Sequence, residues 1–413
     1  MENLAPPDWD VVVIGGGAAG LMAAIHAAER GRRVLLLEKN RKPGVKILMS
    51  GGTRCNITHS CDNRGIVAAY GKPGKFLHSA LAAFSVQQTI QLFEAEGVAT
   101  KVEDTGKIFP VSNKALDVLE ALLSRLRRSG ATLALEEPVN ELDRADAGLR
   151  IVTPKRTINT SHVILTTGGQ SFPGCGTRGD GYRFAAKLGH AIVALKPSLV
   201  PITIDVPWVN ELRGVTLEDV GMKVLEKDKT LSAKRGGFLF AHFGLTGPAP
   251  LNISKAISLH ADPKSLELEL DFLPGRIDAE VDDFLKNESL NSGKKQLASV
   301  LSEQLPRRLA DTILTLTKQP LDRKASGLAK ADRLQLVTAI KHLRIPVRGT
   351  LGFEKAEVTA GGVSLDEVDS RTMQSKIVPG LFLAGEVLDL DGPIGGFNFQ
   401  AAWSTGWLAG RSV

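Results

Sequence analysis

The sequence predicts an α/β fold in which a parallel, nucleotide-binding sheet is assembled from both ends of the chain around a long insertion. Three observations predict it. Residues 10–39, DVVVIGGGAAGLMAAIHAAERGRRVLLLEK, read as strand, glycine turn, helix, strand. Residues 380–413 read as strand, glycine-rich loop, helix. Between them the pattern shifts to short alternating strands and then to polar helices.

Residues 10–14 form the β-branched apolar run of a buried parallel strand. Gly15, Gly17 and Gly20 follow in the spacing G-x-G-x-x-G. The first makes the strand-to-helix turn, the second lets a pyrophosphate approach the backbone, and the third lets helix and strand pack closely. Unpaired N–H groups and the positive dipole end at the helix start hold phosphate. A second strand, 33–37, ends at Glu38. A carboxylate there accepts hydrogen bonds from ribose hydroxyls and repels a 2′-phosphate, which favours FAD or NAD over NADP. The competing reading is a glycine turn with no ligand; the full order of strand, glycines, helix, strand and acid argues against it.

After Glu38 comes a basic loop (Lys39, Arg41, Lys42, Lys46), then KILMSGGTRCNIT at 46–58. Helical patterns follow at 76–96 and 114–129, short strands at 132–144 and 149–157, and a buried strand at 162–167 ending in Gly168-Gly169. Pro197, Pro201 and Pro207 then break the chain; 200–275 alternates as short strands, and 278–343 is polar and helical. A strand-like stretch returns at 355–359. The expected organisation is a discontinuous nucleotide-binding domain (1–195 and 350–413), a β-rich insertion (196–275 and 342–349) and a helical subdomain (276–341).

Composition narrows the function classes. With 43% apolar and 23% charged residues the chain can bury a core rather than stay disordered. The net charge of +6 is dispersed, with no basic run, so no nucleic-acid partner is expected, although the charge suits an anionic ligand. Three cysteines without a C-x-x-C pair argue against a disulfide framework and for a reducing compartment, the cytoplasm. The opening MENLAPPDWD lacks the basic and apolar regions of a secretory leader. Residues 11–28 are hydropathic enough to mimic a membrane span, but their glycines make them a buried βα unit, so no membrane partner is expected. No signal for an oligomeric state is present.

The C-terminal motif decides between the nucleotides. Residues 381–384 form an apolar strand ending in Gly385-Glu386, and Gly395-Gly396 precede a helix beginning near Asn398. NAD needs no such distant element, whereas FAD extends from the adenosine site to another part of the sheet. The Glu386 carboxylate can accept from hydroxyls on the ribityl or pyrophosphate side. A helix N-terminus at the flavin N1–C2=O edge stabilises the negative charge that appears there on reduction. The cofactor expected is therefore FAD.

With these motifs the chain resembles the BaiN-type NAD(P)/FAD-dependent oxidoreductases, YhiN-like flavoproteins that include aminoacetone oxidase. The resemblance spans nearly the whole chain. It rests on GRRVLLLEKNRKPGVKILMSGGTRCNIT, GKIFPVSNKALDVLEAL, TTGGQSFPGCGTRGDGYRFAAKLGH, FAHFGLTGPAPLNIS, AEVTAGGV and, most specifically, PGLFLAGEVLDLDGPIGGFNFQAAWSTGWLAG. It implies a glutathione-reductase-type FAD domain with an inserted β-barrel-like domain carrying a helical subdomain. The Gly-Glu pair is also similar to that of fumarate reductase and succinate dehydrogenase flavoprotein subunits. By resemblance, cofactor contacts fall to Gly15, Gly17, Ala18, Ala19, Glu38, Lys39, Lys46, Gly51, Arg54, Val139, Thr167, Gly168, Gly385, Glu386, Asn398, Phe399 and Gln400. Gly20 and Gly396 join them from the turn chemistry, and Val139 is expected on the strand whose backbone receives the adenine. Three positions depart from the family pattern. Thr53 replaces a usual third glycine, so that the loop is held differently or needs no positive φ there. Phe397 replaces a usual tyrosine, and Arg178 a common threonine.

GCGTRG at 174–179 repeats the glycine spacing, but six residues separate it from the preceding strand and no acid follows a second strand. A loop near the flavin is favoured over an NAD(P)H site. NAD(P)H would then dock transiently in the substrate cleft. Cys55 lies in the flavin loop and reads as a packing thiol sooner than a redox group. Arg54, His59, Arg178, Tyr182 and His242 are the polar groups placed by motif to reach the ring face. His242 is the first candidate for proton transfer, with Arg54 and Tyr182 completing the catalytic set. A histidine that merely packs in the insertion fits His242 equally well. No metal site is expected. The function expected is hydride exchange between flavin N5 and a small organic substrate bound between the FAD domain and the insertion. NAD(P)H serves as partner if the enzyme reduces an activated C=C bond, and dioxygen if it oxidises an amine or amino-ketone. The alternative is a flavin-containing RNA-binding or RNA-modifying protein.

Overall fold

The computed structural model describes residues 9–413; the residues on which the expectation about a secretory leader mainly rests, 1–8, lie outside them. The chain divides into two compact units. One joins the described residues up to Lys196 to Val358–Val413, and the other is Pro197–Glu357.

In the first unit, Trp9–Ile14 lies at the middle of a seven-stranded sheet. Val11, Val12 and Val13 are wholly buried, as an apolar run covered on both faces must be. The strand pairs in parallel with Val34–Leu37 on one side and Thr157–Leu165 on the other. Thr157–Leu165 uses its other edge twice. Its first half pairs antiparallel with Gly148–Val152, and its second half pairs in parallel with Leu381–Leu383. The sheet thus contains strands from both ends of the sequence.

The helices repeat that convergence. Helix Ala18–Ala28 lies against the C-terminal helix Phe397–Ser412 with no room for side chains between them. A Cβ on Gly406 or Gly410 would stand 2.3 Å from the carbonyl oxygens of Ala19 and Ala23 respectively. The helical pattern expected over 76–96 is broken instead into Lys72–Leu77, His78–Ala83 and Val86–Ala95. Ser85 caps the last with Gln88 at N3, so local hydrogen bonding ends one helix and begins the next. Ala115–Ser129 stops at Gly130, whose φ is +83°.

The second unit is built on an antiparallel seven-stranded sheet whose end strands, Leu343–Pro346 and Gly349–Thr350, are separated by only Val347 and Arg348, so the sheet curls toward closure. Gly349–Thr350 pairs with Ile202–Thr203, which is why the chain returns to the first unit at Val358 rather than at 350. The helices expected as a subdomain share one core with this sheet: Leu285, Leu309, Leu336 and Ile340 join Leu266, Leu268 and Leu270. Among the described residues no helix is long and apolar enough to cross a membrane.

Candidate functional site

The site in the first unit has three parts. The first is the turn at 15–20. Gly15 has φ +105°, and a Cβ on it would meet the Thr166 carbonyl oxygen at 2.7 Å; one on Gly20 would stand 1.8 Å from the Gly15 oxygen. Gly17, by contrast, faces open space. Helix Ala18–Ala28 starts there without a side-chain cap or an acidic first turn, leaving its first N–H groups to a ligand. The buried Glu38 carboxylate accepts from the N–H groups of Gly16 and Asn40, both at 2.8 Å. It holds the loop while keeping lone pairs for ribose hydroxyls.

The second part surrounds Glu386. Lys46 Nζ donates to Oε2 at 2.8 Å, while Ser171 Oγ (3.0 Å) and Thr359 N–H (2.9 Å) donate to Oε1. Lys46 also reaches Ser171 at 3.1 Å. Gly385, at φ +75°, sits where a Cβ would stand 2.8 Å from that of Ala19, so the C-terminal motif lies directly on the first helix. Ser171 and Thr359 escaped the sequence reading. Their only signals are the adjacent Gly168-Gly169 and Gly361-Gly362 pairs.

The third part is the start of helix Phe397–Ser412. Gly396 (φ +96°) is pressed against Thr58, whose carbonyl oxygen would stand 2.4 Å from a Cβ at that position, and its N–H donates to the Asn56 amide oxygen at 2.9 Å. Asn398 clamps Gly392 through both its amide atoms, at 2.8 and 2.9 Å. Phe397 stacks on His59, with centroids 4.7 Å apart.

Several of the expected contact residues have partners within the protein. Gln400 is fully buried and spends its amide on Thr58, Thr89 and Ser404, so its side chain faces the core. Val139 is not on a strand: 135–140 is irregular between Thr132–Ala134 and Glu141–Ala145. Phe399 stacks on Trp403. Lys39 pairs with Asp180 at the start of helix Asp180–Lys187.

Of the candidate catalytic set, Arg54 and Tyr182 lie in the first unit and His242 in the second. Tyr182 is buried, donates its hydroxyl to the main-chain oxygen of Glu386 at 3.2 Å, and has its pKa pushed up by burial, which makes it a support for the loop. Arg54 pairs with Glu103 and lies over Phe109. His242 is exposed at the turn between Lys229–Ala241 and Gly244–Thr246 of the second unit, with its ring against Phe243. Cys55 is wholly buried and its thiol is pushed up to about 12 by burial, as a packing thiol should be. At 174–179 the chain makes a turn, Pro173–Cys175, that packs on Asn40 instead of opening a nucleotide crossover. Thr53 has φ +68°, so the loop does demand a left-handed residue where glycine is usual.

One constellation was not visible in the sequence. His190 lies between Glu367 and Ser375, 2.9 Å from each. Ser375 is buried and its oxygen already accepts from Ile377 and Val378 N–H, so the trio braces a turn and offers no nucleophile. Among the described residues no group of three or more acidic, histidine or cysteine side chains could hold a metal.

The residues present fit FAD. Gly17 leaves a cradle, the first helix offers free donors, and the buried Thr167 hydroxyl has no partner among the described residues.

Comparison with known proteins places this geometry. The ribosomal RNA dihydrouridine synthase of Escherichia coli (strain K12) is 34% identical over 98% of each chain. The 3-dehydro-bile acid delta(4,6)-reductase of Clostridium scindens is 31% identical over 97% of this chain and 98% of its own. Among solved structures, the 3-ketosteroid-delta4-(5alpha)-dehydrogenase from Rhodococcus jostii RHA1 covers 99% of this chain and 98% of its own. Its TM-score is 0.50 at 17% identity, a likeness of fold. The model of the HI0933-like protein Rossmann domain matches residues 9–412, and the chain belongs to that family.

Proposed function

We propose that this chain is an FAD-dependent oxidoreductase that reduces a carbon–carbon double bond conjugated to a carbonyl, with NAD(P)H as electron donor. The observation that carries the reading is the meeting of the two glycine motifs, Gly385 lying against Ala19 at the start of the first helix. It brings a phosphate cradle and a second polar site onto one sheet, as a long dinucleotide requires.

When bound, FAD supplies the hydride chemistry. The chain's own residues bind and orient. Gly17 and the N–H groups of the first turn hold the pyrophosphate, and Glu38 takes the ribose hydroxyls. Lys46, Thr167 and Glu386 serve the middle of the molecule. The N–H groups opening helix Phe397–Ser412 offer partial positive charge to a carbonyl edge. His242 remains the proposed proton carrier, since its ring is exposed.

The direction of reaction is supported by two full-length relatives, whose names describe a dihydrouridine synthase and a delta(4,6)-reductase. A second reading, uridine within RNA as the substrate, is favoured by the 34% identity to the first of these. Anaerobic stopped-flow spectroscopy separates the possibilities. Bleaching by NADPH or NADH, then reoxidation by a small enone, supports the reductase. Reoxidation only by uridine-containing RNA supports the second reading. Bleaching by an amine followed by peroxide release would sink both.

A further inference from the structure

Arg54, expected to act on the cofactor, is tied to the loop it belongs to. Gly51, Gly52 and Thr53 turn left-handed in succession at φ +57°, +67° and +68°, and Cys55 follows at +61°. Glycine adopts this conformation freely, whereas a side-chain-bearing residue is biased against it by roughly tenfold, and a β-branched one is a marked outlier. The Thr53 hydroxyl donates only to the carbonyl of its neighbour Gly52, at 2.6 Å, so it ties the turn to nothing outside itself.

The restraint comes from elsewhere. Arg54 Nε donates to the Gly51 carbonyl at 3.3 Å, Nη1 pairs with Glu103 at 2.6 Å, and the guanidinium lies 4.0 Å from the centre of the Phe109 ring. A Cβ on Gly51 would stand 2.9 Å from that same ring. Glu103 and Phe109 belong to one hairpin, Thr100–Val102 with Lys107–Pro110, whose turn is closed by Gly106 N–H to the Glu103 carbonyl at 2.8 Å. The hairpin therefore grips the left-handed turn through Arg54, with its Phe109 ring packed against Gly51.

We propose that Glu103 is a positioning residue. Acting through Arg54, it clamps the turn at 51–53 in the conformation that retains FAD, and Thr53 is the strained point that the clamp opposes. This rests on the FAD reading of the site. The ion pair is about one-third exposed on each side (38% and 34%), so its effect is modest, about fivefold.

The test uses the purified holoprotein and three readouts: the rate of FAD release, followed by the rise in flavin fluorescence on dilution; the visible absorbance band of the bound flavin; and the melting temperature of the flavin-stripped chain. Glu103→Gln is expected to release FAD about fivefold faster, with an altered band and an unchanged melting temperature of the stripped chain. Thr53→Gly is expected to release FAD more slowly than the parent, and the double variant to return to within about twofold of it. The proposal is overturned if Glu103→Gln releases FAD at the parent rate, or if Thr53→Gly fails to restore retention in the double variant. It is also overturned if the loss is matched by a fall in the stripped chain's melting temperature. A parent chain that never takes up FAD refutes the cofactor reading itself, before any variant is compared.

Discussion

Glu38, at the ribose end of the proposed cofactor site, and Glu386, at its middle, are held in opposite ways. Glu38 accepts from Gly16 and Asn40 backbone N–H groups, both supplied by the same βα crossover. Glu386 accepts from Lys46, Ser171 and Thr359, three segments far apart in the chain. One carboxylate is placed by a local turn, and the other exists as a site only once the fold is complete. Loss of Glu38 should therefore weaken the cofactor more than the fold, and loss of Glu386 should do the reverse.

The largest effect should come from removing the contact on which both depend. Gly406→Val drives a side chain into the Ala19 carbonyl, whose oxygen stands 2.3 Å from the Cβ position. It should cost about 3 kcal/mol in urea denaturation and abolish flavin retention. A variant that stays yellow and fully stable would mean that the helix contact is not what unites the two sites.

Glu38→Gln should weaken FAD by about thirtyfold in equilibrium titration, because a charge-assisted hydrogen bond to the ligand is lost, and lower the stripped chain's stability by only about 1 kcal/mol, since one of the Gly16 and Asn40 N–H groups loses its acceptor. Glu386→Gln should weaken FAD less, by about tenfold, and lower the stripped chain's stability by about 2 kcal/mol, since the half-buried Lys46 ammonium loses the carboxylate it pairs with. Equal effects of the two variants on both readouts would erase the distinction.

Cys55 gives a pH test of the shared loop. Burial raises its pKa from 9.0 to about 12, so the folded chain keeps the proton that the unfolded chain gives up. Its contribution to stability is full below pH 9 and is lost as pH rises toward 12. At pH 8 the native thiol should resist iodoacetamide while the urea-unfolded chain is alkylated, as mass spectrometry would read. Alkylation of the native protein at the unfolded rate would show the loop to be open. The smallest effect should be Tyr182→Phe, about 1 kcal/mol from one hydrogen bond to the Glu386 carbonyl, with the pH profile of turnover unchanged. A shifted pH profile would return Tyr182 to the catalytic set.

The same contrast explains what was legible in the sequence. The glycine turn, Glu38, the parallel strands and the Gly385-Glu386 motif could be read because backbone sterics and strand periodicity are local. Gly17 needs open space and Gly20 needs none, and both are glycines for those opposite reasons. Side-chain destinations were not legible. Gln400 stands one turn into a helix whose other face was unknown, and Tyr182 follows a glycine motif that suggested a ligand; both point into the core. Ser171 and Thr359 carried no signal beyond the neighbouring glycine pairs, because their partner Glu386 lies in the turn Gly385–Val387, which reaches them only through the fold.

The most direct measurement is equilibrium titration of the stripped chain with FAD, set beside ADP, which can occupy only the end that contains Glu38. The account predicts one FAD per chain, bound far more tightly than ADP in the parent, with that advantage reduced by Glu386→Gln and not by Glu38→Gln. Equal affinity for FAD and ADP, or an advantage indifferent to Glu386, would contradict the claim that two remote motifs grip one molecule.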